Sequence, residues 1–183
     1  MRKDDSGCSS GLDRIRALAM DVDGVLTDGG VWWGPNGEEW KRFCFADIMG
    51  VSLARRAGLV LALISGENSP LVDRYAEKMH IRHVFKGCRD KASALRGFAG
   101  AAHIDLSEVC FMGDDVNDIF AMETAGFCAC PSSAAAEVLE YVCAHGFVAK
   151  ASGGCGAVRE YIEAILKARN LAPRDVFLLR SPE

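Results

Sequence analysis

Two aspartates that stand two residues apart are the first candidates for chemistry in this sequence. Asp21 and Asp23 open the segment DVDGVLTDGG, which directly follows an apolar run. Two carboxylates on one side of an extended chain repel each other unless a cation joins them, and a hard, oxygen-ligated ion such as Mg²⁺ suits such a pair. An aspartate can also attack phosphorus and form an acyl phosphate. The pair therefore indicates a metal site, a nucleophile, or both.

Three further segments could complete a phosphoryl-transfer site. In GDDVND, Asp114 could bind a metal ion directly and Asp118 through water. The hydroxyl of Ser65 and the backbone N–H groups that follow at Gly66 could hold a phosphoryl oxygen, while Lys91 could neutralise the nucleophile and the transferring group. Each segment alone is a common turn, loop or helix start. Their combination, each at the edge of a strand or helix, predicts a site.

Alternating strands and helices must position these residues. Short apolar runs predict buried strands at 15–20, 59–64, His83–Phe85, Val109–Met112 and Phe127–Cys130. Helical spacing predicts helices at 48–57, Pro70–Met79, 91–101, 116–125 and Ala157–Ala168, with Asn68 or Ser69 as the cap before Pro70. This alternation predicts an α/β fold with a parallel sheet and helices on both faces. In such folds ligands bind beyond the carboxyl ends of the strands, where the acidic segments would lie.

One segment breaks the alternation. Residues 31–45 predict a β-hairpin with a tight turn at Asn36-Gly37, which would project over the carboxyl end of the first strand. We expect a flexible N-terminus at 1–14, one domain at 15–170 and a C-terminal tail at 171–183, whose structure the sequence does not indicate.

Composition narrows the classes of function. The chain has 183 residues, a formal net charge of −4 and no basic run, which argues against a nucleic-acid binder. The N-terminus has no secretory apolar region and no apolar run could span a bilayer, so we expect a cytosolic protein that contacts no membrane.

The eight cysteines include no CxxC pair, which predicts reduced thiols that pack as small core residues. Cys128 and Cys130 would share one face of a strand.

The four motifs resemble those of the haloacid dehalogenase superfamily, and the resemblance covers about residues 15–169. It implies a Rossmann-like three-layer core, a Mg²⁺ ion and a phosphoaspartate intermediate on Asp21. Asp23 would protonate the leaving alkoxide and then activate water, and its backbone carbonyl would bind the metal. The implied catalytic residues are Asp21, Asp23, Ser65 and Lys91, and the implied metal ligands are Asp21, Asp23, Asp114 and Asp118.

Other segments are similar to one branch of that superfamily. There is no room for a large cap domain, and a hairpin flap stands in its place. VLTDGG, NGEEWKRF with Asp47 and Gly50, and GGCGAVRE at 153–160 look like the capless phosphatases of 2-keto-3-deoxy sugar acids. The resemblance implies a homotetramer, in which the flaps and tails of neighbouring subunits help close each site. We interpret the three tryptophans of the hairpin as packing between subunits rather than as sugar-stacking residues.

Few positions bear on the substrate. In the resembled family, eight-carbon octulosonate 8-phosphate phosphatases typically carry an arginine after Ser-Gly, while the nononate 9-phosphate enzyme carries a glutamate and a lysine eleven residues on. Glu67 and Lys78 stand there in this chain, which favours the nine-carbon substrate slightly. Arg159 is the best candidate to bind the sugar carboxylate. The other candidate substrate-binding residues are Thr27, Gly66, Asp115 and Asn117.

Three alternatives stay open at this point. A signalling receiver domain also uses an aspartate, a hydroxyl and a lysine, but its phosphorylated aspartate lies on a later strand and it has no GDDxxD cluster. The chain could instead be a phosphatase of another small sugar phosphate. It could also be an inactive domain of the same fold that is kept for oligomerisation, although the intact motif residues argue against this.

Overall fold

The computed structural model describes residues 11–179, and a parallel sheet forms its centre. The strands are β1 (Ala17–Met20), β2 (Trp32–Trp33), β3 (Glu39–Trp40), β4 (Val60–Ile64), β5 (His83–Phe85), β6 (Val109–Met112), β7 (Phe127–Cys130) and β8 (Phe147–Val148). Six of them form one sheet, all parallel, in the order β5-β4-β1-β6-β7-β8. β2 and β3 pair antiparallel in the predicted hairpin. Met20 is in register with Leu63 and with Met112, so three strands end at the same edge.

Helices cover both faces of the sheet. They are α1 (Phe45–Arg56), α2 (Pro70–Met79), α3 (Lys91–Ala102), α4 (Ile119–Thr124), α5 (Ala136–His145), α6 (Ala157–Ala168) and α7 (Pro173–Leu178). The first, second, sixth and seventh pack on one face, and α3, α4 and α5 pack on the other. The structure thereby confirms the predicted α/β, Rossmann-like three-layer architecture.

The central strands are apolar on both sides because both sides face helices. In β1, Leu18 and Met20 point into the core beneath α1 and α6. Ala17 and Ala19 point the other way, into a second core that contains Phe98. Cys128 and Cys130 are both buried in that second core, which confirms that they share a face.

Two helix starts beside the site follow ordinary capping rules. The Ser69 hydroxyl accepts a hydrogen bond from the N–H of Leu71 at 3.3 Å, with Pro70 at the first position of α2, as predicted. At the start of α3, an oxygen of the Asp90 carboxylate accepts a hydrogen bond from the N–H of Ser93 at 2.9 Å. These caps fix where each helix begins and therefore where Lys91 stands.

Two predicted segments differ from the structure by more than two residues or in kind. The second arm of the hairpin was expected to reach residue 45, but Phe45 already begins α1, which therefore starts three residues earlier than predicted. The segment predicted as one helix at 116–125 divides into a 3-10 turn, Val116–Asp118, and the short helix α4. The division follows from a capping box, in which Asp115 and Asp118 satisfy each other's backbone N–H groups.

Two helices and one strand were not predicted. The residue before α5 is Ala135, whose side chain cannot cap a helix, so the sequence carries no start signal there. β8 is only two residues long, too short to show a pattern. α7 lies in the tail that was left unassigned, and Val176 packs it into the core with 1% exposure.

The described N-terminal residues are packed rather than loose. Leu12 lies in a 3-10 turn, Leu12–Arg14, and is buried in the core at 4% exposure. Residues 12–14 were expected to belong to a flexible N-terminus, but the buried side chain of Leu12 anchors the chain there. Residues 1–10 and 180–183 lie outside the described range. Between residues 11 and 179, no helix is both long and apolar enough to cross a bilayer.

Candidate active site

Asp21 is the first residue after β1 and lies at the carboxyl edge of the sheet. Its backbone N–H donates to the carbonyl of Met112 at 2.9 Å, so the sheet ladder holds it in place. It is 6% exposed. Burial, and then the nearby charge of Asp118, raise the pKa of Asp21 from 3.8 to about 7, while Lys91 works against the rise. A cation bound at the site would also oppose that rise.

Lys91 joins the two acidic segments. Its Nζ lies 3.0 Å from an oxygen of Asp21 and 2.6 Å from Oδ1 of Asp118, and its side chain is 1% exposed. Burial alone would lower the pKa of Lys91, but these two carboxylates outweigh burial and raise it. Lys91 is therefore a buried cation that pairs with both Asp21, the candidate nucleophile, and Asp118 of the second acidic segment.

Asp114 completes a cluster that suits a divalent cation. Oxygens of Asp21, Asp114 and Asp118 lie within 4.8 Å of one another. The Oδ1 atom of Asp114 is buried and has no hydrogen-bond partner among the described residues. Burial, and then the charges of Asp21 and Asp118, raise the pKa of Asp114 to about 7. A carboxylate that is short of partners and crowded by like charge is what a hard cation satisfies, so the residues fit Mg²⁺.

Gly24 lets the two acidic segments meet. Its φ is +82°, and a Cβ at this position would stand 1.9 Å from Oδ2 of Asp114. A side chain here would therefore displace Asp114 from the cluster. The glycine after Asp23 is required for close approach as well as for the turn.

Asp118 has a different task from Asp114. Its Oδ1 accepts the hydrogen bond from Lys91, and its Oδ2 accepts hydrogen bonds from the N–H groups of Asp114 at 3.0 Å and Asp115 at 3.3 Å. Both oxygens are therefore engaged with the protein. This arrangement suits a residue that orients the loop and reaches a metal ion through water.

A cavity of about 290 Å³ opens over these groups. Its walls bring together most of the predicted residues, namely Asp21, Asp23, Ser65, Gly66, Glu67, Lys91, Asp114, Asp115 and Asn117. Ser65 is buried, and its hydroxyl accepts a hydrogen bond from the N–H of Glu67 at 3.1 Å. A larger cavity, of about 620 Å³, lies where the chain enters β4 and β5, but no carboxylate lines it. The smaller cavity is therefore the candidate active site.

Three candidate substrate-binding residues do not line the active-site cavity. Thr27 is fully buried, and its Oγ1 accepts hydrogen bonds from the N–H groups of Gly24 and Gly29, both at 3.3 Å, so it shapes the loop. Lys78 is exposed near the far end of α2. Arg159 lines a separate groove beside α7, and its Nε donates to Glu163 at 2.6 Å. Direct contact of these three residues with substrate therefore stays a prediction, which would need neighbouring subunits or movement of the loop.

Lys41 is a residue of the site that the sequence did not single out. It follows β3, and its Nζ donates a hydrogen bond to Oδ2 of Asp23 at 2.9 Å. The same Nζ lies 3.4 Å from an oxygen of Glu39, and the Lys41 side chain is only 3% exposed. The available signal was the spacing of Glu39 and Lys41, which puts opposite charges on one side of a strand. The hairpin thus contacts the second carboxylate of the opening motif.

The glycine-rich segment at residues 153–156 packs against the loop that follows β1, residues 21–30. The N–H of Gly154 donates to the carbonyl of Val25 at 2.9 Å. A Cβ on Gly154 would lie 2.4 Å from the backbone nitrogen of Asp28, and its φ is +59°. Arg42 from the hairpin donates to Asp28 at 2.8 Å and to the carbonyl of Gly154 at 3.2 Å. These glycines therefore allow backbone packing against the loop that carries Asp21 and Asp23.

Comparisons with known proteins identify the family of this chain. Residues 63–149 match the family model of the haloacid dehalogenase-like hydrolases. The chain is 32% identical over 157 residues to the 3-deoxy-D-manno-octulosonate 8-phosphate phosphatase of Escherichia coli (strain K12), and the match covers 86% of this chain and 82% of that protein.

Solved structures with the same fold carry ions. A 3-deoxy-D-manno-octulosonate 8-phosphate phosphatase from Moraxella catarrhalis, in complex with a magnesium ion, a phosphate ion and a KDO molecule, is 35% identical with a TM-score of 0.85. That match covers 93% of this chain and 95% of the other. The cobalt-bound octulosonate 8-phosphate phosphatase from Haemophilus influenzae is 31% identical, with a TM-score of 0.82 and coverage of 87% and 91%. The chain therefore belongs to the haloacid dehalogenase-like hydrolases, in the family of capless phosphatases that includes the 3-deoxy-D-manno-octulosonate 8-phosphate phosphatases, and it is a phosphatase.

Proposed function

We propose that this phosphatase hydrolyses the phosphate ester of a 2-keto-3-deoxy sugar acid, depends on Mg²⁺ and forms a phosphoaspartate on Asp21. The observation that carries the proposal is the position of Lys91, which lies 3.0 Å from Asp21 and 2.6 Å from Asp118 in a buried cluster. A cation in this position neutralises a carboxylate that must approach an anionic phosphate.

The first half of the reaction transfers the phosphoryl group to the protein. An oxygen of Asp21 attacks phosphorus, the bond from phosphorus to the sugar oxygen breaks, and Asp23 gives its proton to that oxygen. Lys91 and the groups at Ser65 and Gly66 hold the phosphoryl oxygens. A bound Mg²⁺ would add positive charge beside Asp21 and Asp114, which favours the in-line approach of two anions.

The second half restores the protein. Asp23, now a carboxylate, takes a proton from a water molecule whose oxygen attacks the phosphorus on Asp21. The bond between that phosphorus and the Asp21 oxygen breaks and inorganic phosphate leaves. Each residue returns to its starting protonation state, so the net reaction is the hydrolysis of one phosphate ester.

The substrate class follows from relatives and from one residue of the cavity. The relatives named above act on 3-deoxy-D-manno-octulosonate 8-phosphate, an eight-carbon acid. Glu67 lines the active-site cavity of this chain, and Lys78 lies outside it. We keep a slight preference for 2-keto-3-deoxynononate 9-phosphate, or a related acylneuraminate 9-phosphate, because Glu67 can accept hydrogen bonds from sugar hydroxyl groups.

Self-association would complete the cavity. The three tryptophans of the chain all lie on the hairpin, and Trp32, Trp33 and Trp40 are 53%, 76% and 54% exposed. Exposed aromatic side chains in one patch are typical of an interface. We propose that copies of this chain pack through their hairpins into a homotetramer. Light scattering of the wild type and of Trp33→Ser tests this, because an unchanged mass in the variant, or a monomeric wild type, would contradict it.

Phosphate release tests the proposed reaction. Wild-type protein with Mg²⁺ and a panel of sugar-acid phosphates is expected to release phosphate, and a chelator is expected to stop the release. Asp21→Asn should abolish turnover while circular dichroism stays unchanged, because the amide is a poor nucleophile. Asp13→Asn, on the 3-10 turn before β1, is the matched control and should keep full activity. Full activity in Asp21→Asn would reject the covalent mechanism.

A further inference from the structure

The most heavily buried charge on the hairpin is turned towards the active site. The Lys41 side chain is 3% exposed, although the tryptophans on either side of the hairpin are open to solvent. Burying an ammonium group is unfavourable unless a carboxylate receives it. Here Asp23 receives it, at 2.9 Å.

The other contacts of Lys41 tie the hairpin to the body of the chain. Glu39 lies 3.4 Å from Lys41 and accepts hydrogen bonds from the hydroxyl of Ser69 at 3.3 Å and from the indole N–H of Trp33 at 3.4 Å. Ser69 caps α2, which begins just after the Ser65 loop. Lys41 therefore lies in a continuous polar network that runs from the hairpin to the rigid edge of the sheet.

Lys41 is placed to act through Asp23 rather than on the substrate. Asp23 lines the active-site cavity, whereas Lys41 does not. A single ammonium group on a packed stem favours one direction of the Asp23 carboxylate, because any other direction would break the shorter of the two contacts that neutralise this buried charge. The Asp23 side chain is 29% exposed and would otherwise be free to turn.

We propose that Lys41 is a positioning residue, which holds the Asp23 carboxyl group in the direction needed for proton transfer and makes that direction depend on the docked hairpin. This inference rests on the proposed function, in which Asp23 gives its proton to the leaving oxygen. When the bond from phosphorus to the sugar oxygen breaks, the proton moves from Asp23 to that oxygen. The carboxylate that results faces the ammonium group of Lys41, which keeps its own protons throughout.

The test compares two leaving groups in one pair of esters. Phenyl phosphate and p-nitrophenyl phosphate have similar size, but phenolate needs a proton as it leaves far more than nitrophenolate does. In Lys41→Met, kcat/KM for phenyl phosphate should fall on the order of tenfold to a hundredfold, within the range that general acids contribute. The kcat/KM for p-nitrophenyl phosphate should fall less than about threefold, and kcat/KM is the quantity compared because hydrolysis of the phosphoaspartate is common to both esters. Lys41→Arg should recover part of the loss, because it keeps a buried cation.

A double variant separates positioning from a structural role, and tryptophan emission reports whether the hairpin is still docked. In an Asp23→Asn background, Lys41→Met should cause little further loss, because the residue that it positions is already disabled. All three tryptophans are on the hairpin, so their emission reports on the hairpin, and Lys41→Met should shift it. Lys86→Met, which removes a surface partner of Asp73, is the matched control and should change neither readout.

The outcomes are distinguishable. Equal loss of kcat/KM for both esters in Lys41→Met, or additive losses with Asp23→Asn, would overturn the inference while leaving the proposed reaction intact. If Lys41→Met does not fold, the same comparison in Lys41→Arg and Lys41→Gln decides, and equal losses there also reject the inference. If the wild type releases phosphate from neither ester nor any sugar-acid phosphate with Mg²⁺, the proposed function fails and the inference fails with it.

Discussion

Asp47 and Arg159 are far apart in the sequence, yet Oδ1 of Asp47 accepts a hydrogen bond from the backbone N–H of Arg159 at 3.0 Å. Its Oδ2 accepts another from the N–H of Gly156, also at 3.0 Å. The residue before α6 is Gly156, which has no side chain to cap the helix, so a buried carboxylate from α1 does so instead. This contact joins the start of α1, which follows the hairpin, to the glycine-rich segment 153–156, which packs against the loop after β1.

Removing that carboxylate should destabilise the fold. We expect Asp47→Ala to lower the free energy of unfolding by about 1–2 kcal/mol, because two N–H groups at the start of α6 lose their acceptor. Urea denaturation measures the loss. Asp73→Ala, which breaks an exposed ion pair with Lys86, is the control and should cost less than about 1 kcal/mol. Equal losses in the two variants would contradict the capping role of Asp47.

Adding a methyl group at Gly154 should displace the loop that follows β1, residues 21–30. The backbone has φ +59° and the new Cβ would lie 2.4 Å from the nitrogen of Asp28, so either α6 or the loop must move. We expect Gly154→Ala to cost more than about 1 kcal/mol and to lower kcat about tenfold or more, measured by denaturation and phosphate release.

Gly97→Ala is the matched control for that variant. Gly97 lies inside α3 with open space where a Cβ would stand, so the change should stabilise the protein by about 0.5–1 kcal/mol and leave kcat unchanged. A Gly154→Ala protein with wild-type stability and kcat would show that the loop does not depend on this close approach.

Mg²⁺ binding should release protons and strengthen as pH rises. Burial and neighbouring charge raise the pKa of Asp21 and of Asp114 to about 7 in the metal-free protein, so protons compete with the ion near neutrality. Isothermal titration calorimetry in two buffers of different ionisation enthalpy, at about pH 6 and about pH 8, measures both effects. An affinity that does not change with pH would contradict the competition. Asp114→Asn should weaken binding and reduce the number of protons released.

The same shifts have a consequence for stability. A carboxyl group whose pKa is higher in the folded than in the unfolded chain binds more protons when folded, so it favours folding at low pH. That contribution is fully present below about pH 4, the unfolded value, and is lost as pH rises through about 7. The metal-free protein should therefore lose thermal stability between these values as pH rises. Added Mg²⁺ should restore stability at the upper end, and differential scanning fluorimetry measures both.

Glu67 should influence which sugar acid is preferred. We expect the wild type to show a modestly higher kcat/KM for 2-keto-3-deoxynononate 9-phosphate than for 3-deoxy-D-manno-octulosonate 8-phosphate. Glu67→Arg should move that ratio towards the eight-carbon acid by about tenfold, which corresponds to about 1.4 kcal/mol. Glu77→Arg, on the exposed side of α2, should leave the ratio unchanged. A clear eight-carbon preference in the wild type would reverse our proposal for the substrate.

The sequence alone predicted the acidic residues that meet at the carboxyl edge of the sheet, and most of the elements that carry them. Val109–Met112 and Phe127–Cys130 were predicted with their observed bounds, because short apolar runs in a buried parallel sheet have sharp polar ends. Asp21 follows the last residue of β1 and Asp114 lies two residues after β6, and the two meet because the carboxyl ends of parallel strands lie at one edge. The bounds of a strand and the polar residues that follow it depend on residues that are neighbours in the chain, so the sequence shows them.

Only the tertiary structure decided which polar side chains turn towards the cavity and which support it. Thr27 and Arg159 were predicted to bind substrate, and the structure shows that Thr27 accepts hydrogen bonds within its loop and that Arg159 pairs with Glu163. Lys41 was not singled out in the sequence, but it donates a hydrogen bond to Asp23. These roles depend on contacts between segments that are distant along the chain. The pattern of a helix or strand shows which of its faces is buried, but not which residue from a distant segment packs against that face.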